Sequence, residues 1–568
     1  MRPLLPIFII VCAVLTPALY AQNAPFESPY DSPVFLKQKA KGAERENDYL
    51  LAMSYYDKLK NMRPDNEAFW ERHAYYSLVN KDYANAEKSY EHLKEQGRSD
   101  FDVIFYLART KKHLSKYNEA VELLEKLKKD IRKTKEYGEV RKLLSAELEG
   151  CFLAQRMERV ENAYTVKPLG RSVNSRQFEG SPVWINEDQF IYASHKKLEL
   201  TLFDKDSNTE IPERVMFSAK KEGAGNWDSP KKSYQAPYIK SEGNFGNAAF
   251  NATRDKFFFT LCEKNEQFKI ECKIYWSLLE NGSWSTPELI PGEVNLDGYS
   301  STQPTMGYET MRGREVLYFA SDRPGGKGGM DIWYAILSDR KNRFVSVGNA
   351  GSKINTAGNE MTPHYTLPDS VLYFSSDGHP GMGGLDIFQT KGERVMWNEP
   401  TNIGIPFNSP QDDLYFQPKK GKKEGLLVSN RVGSTPLYGA TCCDDIFYYK
   451  FEKPVELFAE IQLINQEDGV CLNGEELQMF VHDKYTDDKF LINQFNQGDC
   501  LIRVALNPDL KYSFEGNLPG FVSDELVIET YDIDESMVFR DTVYARPSTE
   551  EEQAALAAEG GAIRRSKQ

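Results

Sequence analysis

Two stretches of the chain gather residues able to do chemistry: SDRPGGKGGMDIWYA from Ser321, and SDGHPGMGGLDIFQT from Ser376, 55 residues later. Each runs from Ser-Asp through a glycine-rich loop into Asp-Ile and an aromatic residue. Such a loop fits a catalytic loop, a cation-binding loop, or a hairpin turn whose aspartate accepts backbone N–H groups. A cation loop needs a dense run of carboxylates, and none accompanies Asp331 or Asp386. An active site is normally single, whereas this element recurs. Ser321, Asp322, Gly328, Gly329, Asp331 and Trp333 match Ser376, Asp377, Gly383, Gly384, Asp386 and Phe388, and Asp445 keeps the aspartate in a third copy. The expectation is a structural turn, its glycines admitting positive φ values. Arg323, Lys327 and His379 in the same loops are expected to be exposed and are candidates for contact with a partner.

Other chemistry is sparse. The chain has no H-E-x-x-H, G-x-S-x-G, phosphate-binding or dinucleotide fingerprint, and its seven histidines are scattered. A carboxylate pair at glycosidase spacing is not legible in a sequence. The expectation is a protein without catalytic activity, cofactor or metal site. Of eight cysteines, Cys12 lies near the N-terminus. The segment FFFTLCEKNEQFKIECKIYW reads as a hairpin that sets Cys262 opposite Cys272, a candidate disulfide; Cys471 with Cys500 is a second. Adjacent Cys442 and Cys443 admit either a vicinal disulfide or separate contacts, and Cys151 is unassigned. With no paired C-x-x-C, zinc is not expected.

The elements that would position these residues follow from repeats. Between residues 45 and 130 a 34-residue period relates Tyr49, Tyr83 and Tyr117; Ala52, Ala86 and Ala120; and Tyr56, Tyr90 and Leu124. Matched small and aromatic columns of this period resemble the tetratricopeptide repeat, a solenoid of helical hairpins that binds peptides or proteins on a concave face. That resemblance makes Tyr75, Arg109 and Lys112 candidate binding residues. From about residue 166 the period becomes strand-like, with five units of roughly 50–65 residues and about four strands each. The expected fold is a β-propeller of five blades, with six as the alternative. The strand at Val166 would complete the last blade from the N-terminal side. Residues 454–546 alternate apolar and polar positions over about seven short strands, as in a β-sandwich resembling the carboxypeptidase-regulatory type.

The expected organisation is α plus all-β: signal peptide 1–21, linker 22–44, solenoid 45–163 with a capping helix, propeller 164–452, sandwich 453–546 and a disordered tail 547–568. The signal reading rests on Arg2, an apolar run and a Leu19-Tyr20-Ala21 end. It implies export to an oxidising, periplasmic compartment. A net charge of -14 spread along 568 residues argues against nucleic acid, and no later segment is long enough to span a membrane.

The domain order, with the loops Ser321–Trp333 and Ser376–Phe388, resembles the OmpA-family periplasmic envelope proteins, in particular the PorE-like proteins of type IX secretion and gliding machinery. That resemblance implies a non-catalytic scaffold whose partners are outer-membrane or periplasmic secretion and motility subunits, in contact with peptidoglycan only indirectly. The chain departs from the family in lacking an OmpA-like domain after the sandwich. The alternative is a glycan- or peptide-binding module that uses the propeller mouth, which would present a cluster of exposed aromatics there.

Overall fold

The computed structural model describes residues 32–553 apart from 132–137, 158–162, 196–213, 223–225, 229–243, 266–268, 339, 422, 437–438, 453–455, 473–475, 483–487, 497–499, 508–509, 532 and 534–535. The expected signal peptide lies outside the described residues. The chain forms two compact units, Met1–Phe451 and Glu452–Gln568.

In the first unit, seven α-helices are described: α1 (Pro33–Arg45), α2 (Tyr49–Met62), α3 (Glu67–Val79), α4 (Tyr83–Glu95), α5 (Phe101–His113), α6 (Tyr117–Ile131) and α7 (Gly138–Met157). Asp48, Asp82 and Asp100 cap α2, α4 and α5 by accepting N–H groups three residues on. The 34-residue period sits on the even-numbered helices. Tyr49, Tyr83 and Tyr117 open them, and Ala52, Ala86 and Ala120 are fully buried where each helix meets its neighbours. The linker expected over 22–44 contains α1. Its Leu36, Ala40 and Ala43 fall at helical spacing and pack against Ala52, Tyr56, Leu59 and Phe69, so the helix is held by its apolar stripe.

Five antiparallel sheets then form the propeller. Their innermost strands are Glu179–Asn186, Asn244–Phe250, Ser301–Glu309, Glu360–Thr366 and Asp413–Pro418, and each neighbours the next, the fifth returning to the first. The fifth sheet is completed by Tyr164–Pro168, which pairs with Asp445–Phe451 so that Val166 faces Tyr449. This leaves the ring without an open edge. In the second sheet Cys262 faces Cys272 across the hairpin and the two are bonded. Cys442–Cys443 is a vicinal disulfide, and Cys151 is a buried free thiol.

The second unit packs two four-stranded sheets over a core that includes Leu457, Ile461, Leu477, Phe514 and Val543. Cys471 is bonded to Cys500. Leu457–Asn465 pairs in parallel with Met537–Pro547. The tail expected to be disordered begins with a helical turn at 550–553, where Thr549 and Glu552 bond reciprocally; residues 554–568 lie outside the described ones. No helix among the described residues is long and apolar enough to cross a membrane.

Candidate functional site at the propeller mouth

The propeller axis is closed by one residue from each blade. Ser181, Asn247, Gln303, Thr362 and Tyr415 have φ values of 47, 52, 55, 49 and 49°. Each sits where the innermost strand slips register against the next strand. A left-handed non-glycine residue costs about 1–3 kcal/mol, so five of them require compensation. Hydrogen bonds between blades supply it. Asn247 N–H donates to Ser181 Oγ (3.1 Å), Thr362 N–H to Gln303 Oε1 (2.8 Å) and Tyr415 N–H to Thr362 Oγ1 (3.3 Å). The Tyr415 hydroxyl donates to Asn247 Oδ1 at 2.5 Å and accepts from Gln303 Nε2 at 3.3 Å. Adjacent prolines, Pro182, Pro304 and Pro363, follow three of the five positions and were the sequence signal for this column.

Beside this ring lies a cavity of about 340 Å³ to which all five blades contribute: Trp184, Phe250, Thr305, His364 and Gln417 come one from each. That size is within the range of small-ligand sites. Burial lowers the His364 pKa to about 4, so its imidazole is neutral near pH 7. Among the described residues neither that ring nor the Gln417 side-chain amide has a hydrogen-bond partner, and both open to the cavity. The cations are Arg254, Lys419 and Lys420, and the single carboxylate of the lining is Glu187. Lys419 is neutralised by Glu424 at 2.7 Å.

The aromatic faces are occupied, which corrects the expectation of an exposed cluster. Trp184 donates its indole N–H to the Gln417 carbonyl (3.0 Å) and lies under Lys419, 4.6 Å from the ring centroid. Tyr365 stacks on Tyr318, and Arg254 covers Phe250. The lining therefore presents hydrogen-bonding groups and charge rather than open aromatic faces.

The glycine-rich loops lie toward the opposite ends of the innermost strands, and there the aspartates accept backbone N–H groups. Asp331 accepts N–H groups from Lys327 (2.7 Å) and Gly328 (3.1 Å), Asp386 from Gly383 (3.0 Å) and Asp445 from Thr435 (2.7 Å). Ser321 donates to the Ser300 carbonyl and Asp322 accepts the Ser300 N–H; Ser376 donates to Glu360, and Asp377 accepts from Asn359. Trp333 and Phe388 are buried. The expected positive φ is found at Gly325 (90°), but the four repeated glycines are there for a different reason. Gly328, Gly329, Gly383 and Gly384 do not have positive φ; a Cβ would lie 2.1 Å from the Gly358 carbonyl oxygen at Gly328 and 2.3 Å from that of Gln411 at Gly383. Close approach of the neighbouring blade selects them.

Of the six residues expected to meet partners, two are buried, three half-buried and one exposed. Arg323 is buried, donating to the carbonyls of Val294 and Glu293 and to Ser301 Oγ, and burial lowers its pKa to about 10. His379 is half-buried with Nε2 2.8 Å from the Ile354 carbonyl; Lys327 alone of the three is exposed. Tyr75 is half-buried, edge-on to Tyr76. Arg109 and Lys112 both pair with Glu147, and Arg109 reaches Asp377 at 3.4 Å while Lys112 reaches the Gly381 carbonyl. Nearby, Lys81 bridges Asp412 (3.0 Å) and Asp444 (2.9 Å); burial opposes its charge, yet the two carboxylates hold its pKa above the usual value. His113 Nδ1 lies 2.8 Å from the Pro410 carbonyl and the His113 carbonyl accepts from Gln411. This helix face looks solvated in sequence because the propeller loops that neutralise it lie some 270–360 positions away. It clamps the helices to blades four and five.

Sequence reasoning also missed an asparagine column. Asn174, Asn295, Asn355 and Asn408 each accept the N–H of an isoleucine (Ile446, Ile274, Ile332, Ile387) and donate to its carbonyl, acting as one more rung of the sheet. The metal-like trio Glu87, Glu91 and Glu119 is filled by the Lys111 ammonium at 3.0, 2.7 and 2.6 Å.

No family model and no curated protein matches the chain. Solved structures do. They include an N-acetylgalactosamine deacetylase from F. plautii in complex with blood group B trisaccharide (11% identity, 51% of this chain and 96% of that chain, TM-score 0.32). Exo-β-1,3-galactanases from Phanerochaete chrysosporium (9%, 65% and 94%, 0.32) and Clostridium thermocellum (11%, 65% and 87%, 0.33) also match. These neighbours overturn two expectations. The exclusion of an enzyme rested on absent motifs, and the matched structures are carbohydrate-active enzymes, so it is withdrawn. The scaffold reading is withdrawn with it, since Arg109, Lys112 and Arg323 are spent inside the molecule. At TM-scores this low, no residue role or reaction is transferred from them to this chain.

Proposed function

We propose that the propeller mouth is a carbohydrate-binding site. The observation that carries this reading is a polar cavity on the propeller axis into which the Gln417 amide and the neutral His364 ring open, with no partner among the described residues. Polar groups in this state are free to bond a ligand, and a polyhydroxylated ligand offers both donors and acceptors. A peptide is less suited to the mouth, because peptide recognition draws on a sheet edge or an apolar groove and here the aromatic faces are covered. We read the helical hairpins as tetratricopeptide-type repeats that brace blades four and five. The three disulfides, with the resemblance to periplasmic envelope proteins, support a place in the periplasm.

The test is a glycan array probed with the full chain, followed by calorimetry on the oligosaccharides retained. His364→Ala and Gln417→Ala should each weaken binding about three- to tenfold, the value of one or two neutral hydrogen bonds. Retention of no oligosaccharide would overturn the proposal. Chromatography of the incubated oligosaccharides reads in the same experiment whether bound sugar is also cleaved.

A further inference from the structure

Resting on the reading of the mouth as a carbohydrate site, we infer that its ligand is an acidic saccharide, with the sugar carboxylate held between Lys420 and Arg254. Three cations and one carboxylate line the cavity. Lys419 drops out of the count because Glu424 neutralises it and Trp184 lies beneath it. Lys420 and Arg254 remain. Both are exposed, and neither forms an ion pair among the described residues.

Their uses inside the fold are small. Arg254 gives one N–H to the Trp184 carbonyl (3.1 Å) and lies over Phe250 at 5.2 Å, which holds the guanidinium at the rim with further N–H groups to spare. Lys420 makes no hydrogen bond among the described residues. Glu187, on the blade-one turn, is the opposing charge, and a neutral saccharide would leave the excess of cations unanswered. A carboxylate between Arg254 and Lys420 gains charge-assisted hydrogen bonds, while Gln417 and His364 in the same lining serve the ring hydroxyls. The arrangement also excludes a strongly cationic ligand, since like charges brought together at a mouth repel.

The experiment compares acidic oligosaccharides with partners that differ in nothing else. Trigalacturonate and an aldouronic tetrasaccharide are titrated into the full chain beside their carboxyl-reduced counterparts, at low and high salt. At least one acidic member should bind about tenfold more tightly than its reduced form. That advantage should shrink at high salt, since exposed charges are screened, and largely vanish in Lys420→Gln/Arg254→Gln. Binding of acidic and reduced forms with equal affinity would overturn the inference and leave the carbohydrate reading standing. Failure of all four to bind, with no oligosaccharide retained on the array, would overturn both. Both substitutions are at exposed rim positions, and an unchanged melting temperature would show that the variant is folded.

Discussion

Glu360 shows how much the environment of one side chain sets its chemistry. It opens the innermost strand of blade four, fully buried, and accepts from Thr356 N–H (2.8 Å), Thr356 Oγ1 (2.6 Å) and Ser376 Oγ (2.8 Å). Burial raises its pKa from 4.5 to about 8 and that of Glu179, its counterpart in blade one, to about 7. The folded state therefore holds protons that the unfolded chain releases, and this stability is present below pH 4.5 and lost as pH rises through about 8. His73, His113 and His364 act in the opposite sense. Each is neutral down to about pH 4 against an ordinary 6.5, so stability is lost as pH falls through that window. Unfolding free energy measured against pH should fall on both sides of a maximum. Glu360→Gln, which keeps the neutral shape, should flatten the loss between pH 5 and 9; an unchanged slope would show that the carboxyl is ionised in the fold. At the clamp, Glu147→Gln leaves Arg109 and Lys112 facing each other without their anion, and should lower stability by about 3–5 kcal/mol in urea titrations.

At the scale of elements, blades are joined by side chains that imitate backbone. Asn408 accepts the Ile387 N–H and donates to its carbonyl, which the Ile403 N–H also reaches, so Asn408→Ala strands a buried N–H. A cost of about 1–3 kcal/mol is expected, together with faster amide exchange confined to Asp386–Glu393 and the facing turn. Helix α7 meets the blade-four loop more closely still. A Cβ at Gly150 would lie 2.1 Å from the Gly381 carbonyl oxygen, which belongs to backbone and has little room to yield. Gly150→Ala should loosen the helices from the propeller and expose the 379–384 loop to limited proteolysis. Resistance equal to that of the parent chain would show that this contact does not hold the two together.

At the scale of the whole molecule, helices and propeller form one compact unit and the sandwich another. The buried ion pairs of Lys81, Arg109 and Lys112 should make the first unit cooperative, since separating it strands charges from their partners. Calorimetry of the full chain should then show two transitions rather than three. A separate melting of the helices would contradict the clamp. Opening the bond between Cys262 and Cys272 by Cys262→Ser/Cys272→Ser should lower only the transition of the first unit, by about 2–4 kcal/mol.

Local pattern was sufficient for the elements: the 34-residue period fell on the helices, the recurrent Asp-Ile-aromatic on the third strand of three blades, and the strand at Val166 on the open edge of the fifth. Cys262 and Cys272 were legible because one hairpin sets them opposite each other. The candidate site was not legible, and neither was the fate of Arg109 and Lys112. The cavity draws one short stretch from each of five blades, with no local motif to mark it, and whether a helix face meets water or a loop hundreds of residues away is decided by packing alone. The glycines show both levels at once: their positions followed from the repeat, but their necessity came from the neighbouring blade's carbonyls, which only the closed ring brings within 2–3 Å of where a Cβ would stand.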